Sequence, residues 1–183
     1  EAGRGSLSGP VVAAAVVLPK NFYNSDLNDS KKISFKKRNE LSKIIYEQSL
    51  ACEIGIVDVE EIDKINILNA SILAMHKAIE KINLPFELIL IDGPHFKKFK
   101  NYNHHCIIRG DSKFLAIAAA SIIAKTHRDK IMLDLHEKNP NYKWCRNKGY
   151  PTIEHRSAIK KFGASKHHRK SFKLLNKQTV LDI

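Results

Sequence analysis

At 183 residues, with 43% hydrophobic and 27% charged side chains, the chain has the composition of one globular domain large enough for a real core. Its 31 Lys and Arg against 19 Asp and Glu leave a net charge of +12, which favours a polyanionic partner, nucleic acid before membrane, because no basic amphipathic stretch stands out as an anchor. Cys52, Cys106 and Cys145 are odd in number and match no metal-ligand pattern, which points to free thiols in a reducing cytoplasm, and the longest apolar run is too short to span a bilayer.

The chain opens on Glu1-Ala2-Gly3-Arg4-Gly5. Glycines on both sides of an arginine let the backbone approach a ligand closely, the arginine can grip a phosphate, and the adjacent carboxylate can hold a hard metal. A Gly-rich turn with a surface arginine explains the same five residues, so the rest of the chain has to decide. Residues 11–18, β-branched and apolar without alternation, fit a strand covered on both faces and ended by Pro19. A polar, turn-rich segment follows and ends in the basic Leu27-Asn28-Asp29-Ser30-Lys31-Lys32.

Ser34 can cap a helix running to about Gln48, with Leu41, Ile44 and Ile45 on its inner face. Lys36, Lys37 and Arg38 crowd its first turn, where the helix dipole disfavours cations. A phosphate partner and a solvated basic face both account for that. Residues 51–59 read as a second strand, residues 59–63 as a turn into a short helix, and Ile72, Met75, Ile79 and Ile82 as the core face of a longer helix from Leu68. Leu88-Ile89-Leu90-Ile91 is a buried strand that delivers Asp92 to its carboxyl end, where open α/β sheets place their ligands. Residues 106–109 form a short strand, Gly110-Asp111-Ser112-Lys113 a junction, and residues 116–138 a long helix whose small apolar first half suits close packing on a sheet. Turns at 139–142 and 147–151 precede a helix over residues 153–162, capped by Thr152 and ended by Gly163. A basic strip of His167, His168, Arg169, Lys170 and Lys173 follows.

Alternating strands and helices give an α/β fold with a helical C-terminal extension, divided into residues 1–138 and 139–183. Three acids share a context: Glu1 beside the Gly-rich turn, Asp92 at a strand end, and Asp111 at a strand-to-helix junction. Taken singly each is an ordinary surface or capping residue. Grouped at one sheet edge they would need a cation, and hard oxygen donors in basic surroundings select Mg²⁺ or Mn²⁺, a pair of which serves phosphodiester hydrolysis. Zinc is disfavoured, since the histidines and cysteines show no ligand spacing. Asp129 lies roughly 27 Å past Asp111 along a continuous helix and is read as structural.

With these residues in place the chain resembles the ribonuclease HII family over nearly its whole length. The resemblance rests on eight ordered blocks: residues 1–12; 27–32; Glu61-Ile62-Asp63 with Asn66-Ile67-Leu68; Ile91-Asp92-Gly93; Gly110-Asp111-Ser112-Lys113; 117–125; Lys148-Gly149-Tyr150; and His168-Arg169-Lys170-Ser171-Phe172. It implies an RNase H-like mixed β-sheet flanked by helices, and endonucleolytic cleavage of RNA in RNA·DNA hybrids and 5′ of single ribonucleotides in duplex DNA, leaving 5′-phosphate and 3′-hydroxyl ends. Carried over, Glu1, Asp92 and Asp111 are the metal-binding catalytic carboxylates. Gly3, Arg4 and Gly5 sense the ribose 2′-hydroxyl, the group that distinguishes RNA from DNA. Lys31, Lys32, Lys148, Tyr150 and Arg169 join them as substrate contacts, with Tyr150 stacking on the neighbouring deoxyribose. A cytoplasmic monomer without membrane attachment is expected.

The sequence departs from the family pattern in two places. The family carries a fourth carboxylate, an Asp directly before the residue matching Glu1, preceded by a strand, and both are absent here. The chain is therefore expected to be truncated and, as it stands, poorly active, with a non-catalytic hybrid- or RNA-binding module as the alternative. Asn147 stands where family members often have His.

Overall fold

The computed structural model describes residues 1–27 and 33–175. Strand β1 (Val11–Val17) pairs antiparallel with β2 (Ala51–Val57), with Val11 opposite Val57 and Val17 opposite Ala51. Helix α1 (Phe35–Gln48) connects them, and the Ser34 hydroxyl caps it by accepting from the Lys37 amide. Leu41 and Ile45 of α1 are buried as expected, with Ile44 packed beside them. The basic first turn is resolved by partners: Lys37 pairs with Asp26, and Arg38 is buried against Asp129 at 3.2 Å.

Helix α2 (Val59–Glu80) joins the short and long helices read from the sequence. Asn66 breaks it with φ 65° and ψ 165°, and its Oδ1 accepts from the amides of Leu68 and Asn69, so the residue ends one helix and caps the next. The second half lies directly on the sheet. A Cβ at Gly55 would stand 1.9 Å from the Ala74 carbonyl oxygen, which explains the glycine there.

Strand β3 (Leu88–Asp92) pairs in parallel with β4 (Asn103–Ile107). Helix α3 (Leu115–Lys138) then packs its small residues, Ala118, Ala119 and Ala124 with Ile122 and Ile123, into the main core opposite α1 and β1. The mixed sheet comes in two pieces, because β1 and β3 do not hydrogen-bond to each other. A cavity of about 280 Å³ lies between them, lined by residues 13–18, residues 88–92, Met75 and Ile79 of α2 and Ile117 of α3.

The C-terminal part adds α4 (Trp144–Asn147), a turn of helix that the sequence reading missed, and α5 (Ile153–Phe162), capped by Thr152 and closed by Gly163 as read. Trp144, Tyr142, Leu7, Met132 and Ile159 form its core. The segment after α5 folds back on the N-terminal loop: Ser8 bridges His168, the Gly9 amide donates to the His167 carbonyl, and the Arg169 amide donates to that of Leu7. No helix of the described residues is long and apolar enough to cross a membrane.

Candidate active site

Glu1 and Asp92 are half-buried carboxylates that line the same cavity. Ala2 leads out of that cavity into an antiparallel bridge with Val12, its amide 2.7 Å from the Val12 carbonyl and the return bond 3.0 Å. Asp92 sits at the carboxyl end of β3, where its Oδ1 accepts from the Gly110 amide at 2.9 Å. That bond ties it to the 3₁₀ turn of Gly110–Ser112, which carries the half-buried Asp111. The fold thus brings Glu1 and Asp92 to one cavity and attaches the turn of Asp111 beside Asp92. Among the described residues no group of three or more His, Cys, Asp or Glu is assembled to hold a metal ion. Oxygen donors of this kind fit a hard divalent cation, and in this structure Glu1 pairs with the exposed Arg4 at 3.2 Å.

The two glycines around Arg4 serve different ends. Gly3 is buried at φ 95°, and a Cβ there would lie 2.0 Å from Nε of Arg128. Gly5 is exposed, its φ is not positive, and a Cβ would meet nothing within 4 Å. Nothing in the fold demands glycine at position 5.

Lys148-Gly149-Tyr150 lies against this loop, the Gly149 carbonyl accepting from the Leu7 amide at 2.8 Å. Lys148 and Gly149 both have positive φ. The side chain of Asn147, the residue that departs from the family pattern, is turned inward: its Nδ2 donates to the Tyr142 carbonyl and its Oδ1 accepts from the Gly149 amide. Lys148 Nζ donates to the Cys145 carbonyl. The Tyr150 carbonyl meets His155 Nδ1 at 2.9 Å.

Behind His155 lies a closed network. Trp144 Nε1 donates to His155 Nε2, which also meets His168 Nε2 at 3.2 Å, and the Ser165 amide donates to His168 Nδ1. Those bonds assign both imidazoles as neutral: His155 donates from Nδ1 and accepts at Nε2, while His168 accepts at Nδ1 and donates from Nε2. Burial, with His155 alongside, pushes the His168 pKa down to about 4, and burial lowers that of His155 as well.

The basic strip after α5 is therefore not one surface. His168 and Arg169 are fully buried. Arg169 donates from Nε and Nη2 to the Gly9 carbonyl and from Nη1 to the Arg4 carbonyl at 3.0 Å, so, expected as a substrate contact, it is instead wholly covered and grips the loop from inside. Burial, and then the charge of Arg128, lower its pKa to about 9. Asp63 supports the same segment: burial opposes its charge, but hydrogen bonds from Ser171 and the Lys170 amide outweigh that and hold its pKa below the usual carboxylate value. Lys31 and Lys32 lie outside the described residues.

Arg128, one residue before Asp129, is not among the site residues expected from the sequence. A signal existed: it continues the four-residue stripe of Ala124, Arg128 and Met132, all fully buried. Asp129 itself is buried between Arg38 and Lys125.

The family profile described as ribonuclease HII matches residues 1–175. The chain belongs to the ribonuclease HII family. It is 54% identical over 183 residues to the ribonuclease HII of Christiangramia forsetii, covering all of this chain and 92% of that protein. With the ribonuclease HII of Parabacteroides distasonis it shares 53% over 181 residues, 99% of this chain and 91% of the relative. Among solved structures it resembles the RNase HII of Archaeoglobus fulgidus, determined in complex with PCNA, at a TM-score of 0.80 and 24% identity over 100% of this chain and 96% of that one. Ribonuclease H2 from Pyrococcus horikoshii superimposes equally well, with a TM-score of 0.80 at 22% identity over 95% and 92% of the two chains. Bst-RNase HIII, solved with Mn²⁺, follows at 0.73 and 18% identity, over 95% and 65%. These structures establish the RNase H-like fold, and the family makes the chain a ribonuclease H, a hydrolase that acts as an endonuclease.

Proposed function

We propose that the chain uses Mg²⁺ or Mn²⁺ to cleave the RNA strand of RNA·DNA hybrids in the cytoplasm, and to cut 5′ of single ribonucleotides in duplex DNA, leaving 5′-phosphate and 3′-hydroxyl ends. The observation that carries this reading is the loop with Gly5 open to solvent, set next to two carboxylates on one cavity. Glu1, Asp92 and Asp111 would hold the metal, which supplies an activated water and neutralises charge at the phosphate. The Mn²⁺ complex of the HIII protein supports a divalent ion.

The protein's own contribution is recognition. Gly3, Arg4 and Gly5 meet the ribose and the adjacent phosphate, Arg4 leaving Glu1 to do so. Tyr150 takes the sugar on the deoxyribose side, and Lys148 contributes charge beside it. Arg169 sets the Arg4 carbonyl from behind. Residues 139–183 serve as the substrate-binding extension of a catalytic region spanning residues 1–138, working as a monomer. The charge of +12 supplies affinity that weakens steeply with salt.

The test incubates the chain, alone and with an N-terminal extension ending in Asp, with duplex DNA carrying one labelled ribonucleotide in Mg²⁺, Mn²⁺ or EDTA. Metal-dependent cleavage on the 5′ side, stronger in the extended form and lost in Asp92→Asn and Asp111→Asn, is expected. Selective binding without cleavage by either form, in either metal, would replace this reading with the non-catalytic hybrid-binding one.

A further inference from the structure

Arg128 is a cation with 0% exposure, and no carboxylate among the described residues lies within ion-pair distance of it. Burying a guanidinium costs several kcal/mol unless its donors are satisfied. Here each of its three nitrogens donates to a backbone carbonyl: Nε to Pro10 at 3.0 Å, Nη2 to Ser8 at 3.1 Å and Nη1 to Lys148 at 2.9 Å. Two of those carbonyls belong to the loop that begins with Gly3-Arg4-Gly5, and the third belongs to the turn that presents Tyr150. The side chain also lies directly against Gly3, whose missing Cβ makes room for it, and its guanidinium carbon sits 5.4 Å from the centre of the Tyr150 ring.

An apolar residue at position 128 would avoid the buried charge but would strand three inward-facing carbonyls. A lysine would keep the charge but lacks the planar fork that reaches three acceptors at fixed angles. Arginine fills all three carbonyls from one planar fork, which joins segments about 120 and 20 residues away in sequence. We infer that Arg128 is a positioning residue that fixes the ribose-reading loop at one distance from Tyr150, so that a ribonucleotide and the deoxyribonucleotide next to it are recognised together as a junction. The inference rests on the ribonucleotide reading proposed above and adds to it the part that couples its two contacts. Arg128 touches no substrate in this scheme, since it is wholly covered.

The readout is the ratio of affinities for duplex DNA with one ribonucleotide and for the same duplex without it, measured by fluorescence anisotropy. A merely structural role for Arg128 would change both affinities together. Arg128→Lys, checked for a cooperative melt, is expected to reduce the ratio about tenfold or more, because a displacement near 1 Å is costly at a positioned contact. A folded Arg128→Lys with the parent ratio overturns the inference.

If Arg128→Lys does not fold, the cycle of Arg4→Ala and Tyr150→Ala decides in its place, since both side chains reach the surface. Linked contacts predict that the double variant loses far less than the product of the two single losses, and additive losses overturn the linkage. A parent chain that binds both duplexes equally refutes the ribonucleotide reading itself, and the inference falls with it. A discriminating parent with an equally discriminating Arg128→Lys refutes the inference alone.

Discussion

Substituting alanine for Gly5 and for Gly3, two residues apart, separates what the loop does for a ligand from what it does for the fold. At Gly3 the new Cβ would stand 2.0, 2.6 and 2.8 Å from Nε, Cδ and Cζ of Arg128, a side chain pinned by three carbonyls and unable to yield cheaply. The residue must also keep φ 95°, which costs a non-glycine about 1–2 kcal/mol, and the overpacking adds about 1–3 kcal/mol. For a chain of this size that sum lowers the melting temperature by on the order of 10 °C. At Gly5 no atom lies within 4 Å of the new Cβ and φ is not positive, so Gly5→Ala should melt with the parent or slightly above it, by up to about 1 kcal/mol, through the stiffer unfolded chain. The methyl group would instead obstruct the backbone's approach to the ribose. Circular-dichroism melts and anisotropy titrations with and without the ribonucleotide are the assay, and a loss of preference by roughly ten- to a hundredfold in Gly5→Ala is expected. A Gly5→Ala protein that melts normally and keeps its full preference would refute close approach at this loop.

Asp92→Asn keeps an oxygen to accept from the Gly110 amide, so it should fold normally while cleavage falls at least about a hundredfold, and substantial residual activity in a folded variant would remove Asp92 from the metal set. Asp129→Ala leaves Arg38 and Lys125 without their shared buried anion, and the expected loss of about 3–5 kcal/mol is read from urea denaturation, a loss under 1 kcal/mol counting against the buried pair as a structural element. The two neutral histidines make stability depend on pH with a definite sign. Their folded pKa values lie below the unfolded value of 6.5, so their contribution is intact above pH 6.5 and is lost as pH falls toward about 4. The melting temperature should drop over that interval together with a change in fluorescence of Trp144, the single tryptophan and a donor to His155, whereas signals flat from pH 7 to 4.5 would contradict the neutral network.

The sequence by itself determined what depends on neighbours along the chain. Ser34 and Thr152 cap their helices because the amide each one satisfies is three residues away, and Asp92 ends its strand because the apolar run stops there. The eight blocks settled the family for the same reason, each being short and contiguous. Asn66 shows where local reasoning stops: its two flanking helices were legible, but their junction depends on a positive φ that an Asn adopts only when its side chain finds the amides beyond it.

Tertiary structure decided which strands pair, leaving β1 and β3 on opposite sides of a cavity, and it decided the fate of the charges. Arg128 continues an apolar four-residue stripe and Arg169 sits in a basic strip, but neither pattern names the partners of a buried guanidinium. The two arginines are interior because carbonyls of residues 4, 8, 9 and 10 converge on them from the far end of the chain, and only folding brings those acceptors within reach. A guanidinium is stable out of water wherever its donors are filled, and no local pattern records where distant carbonyls will point.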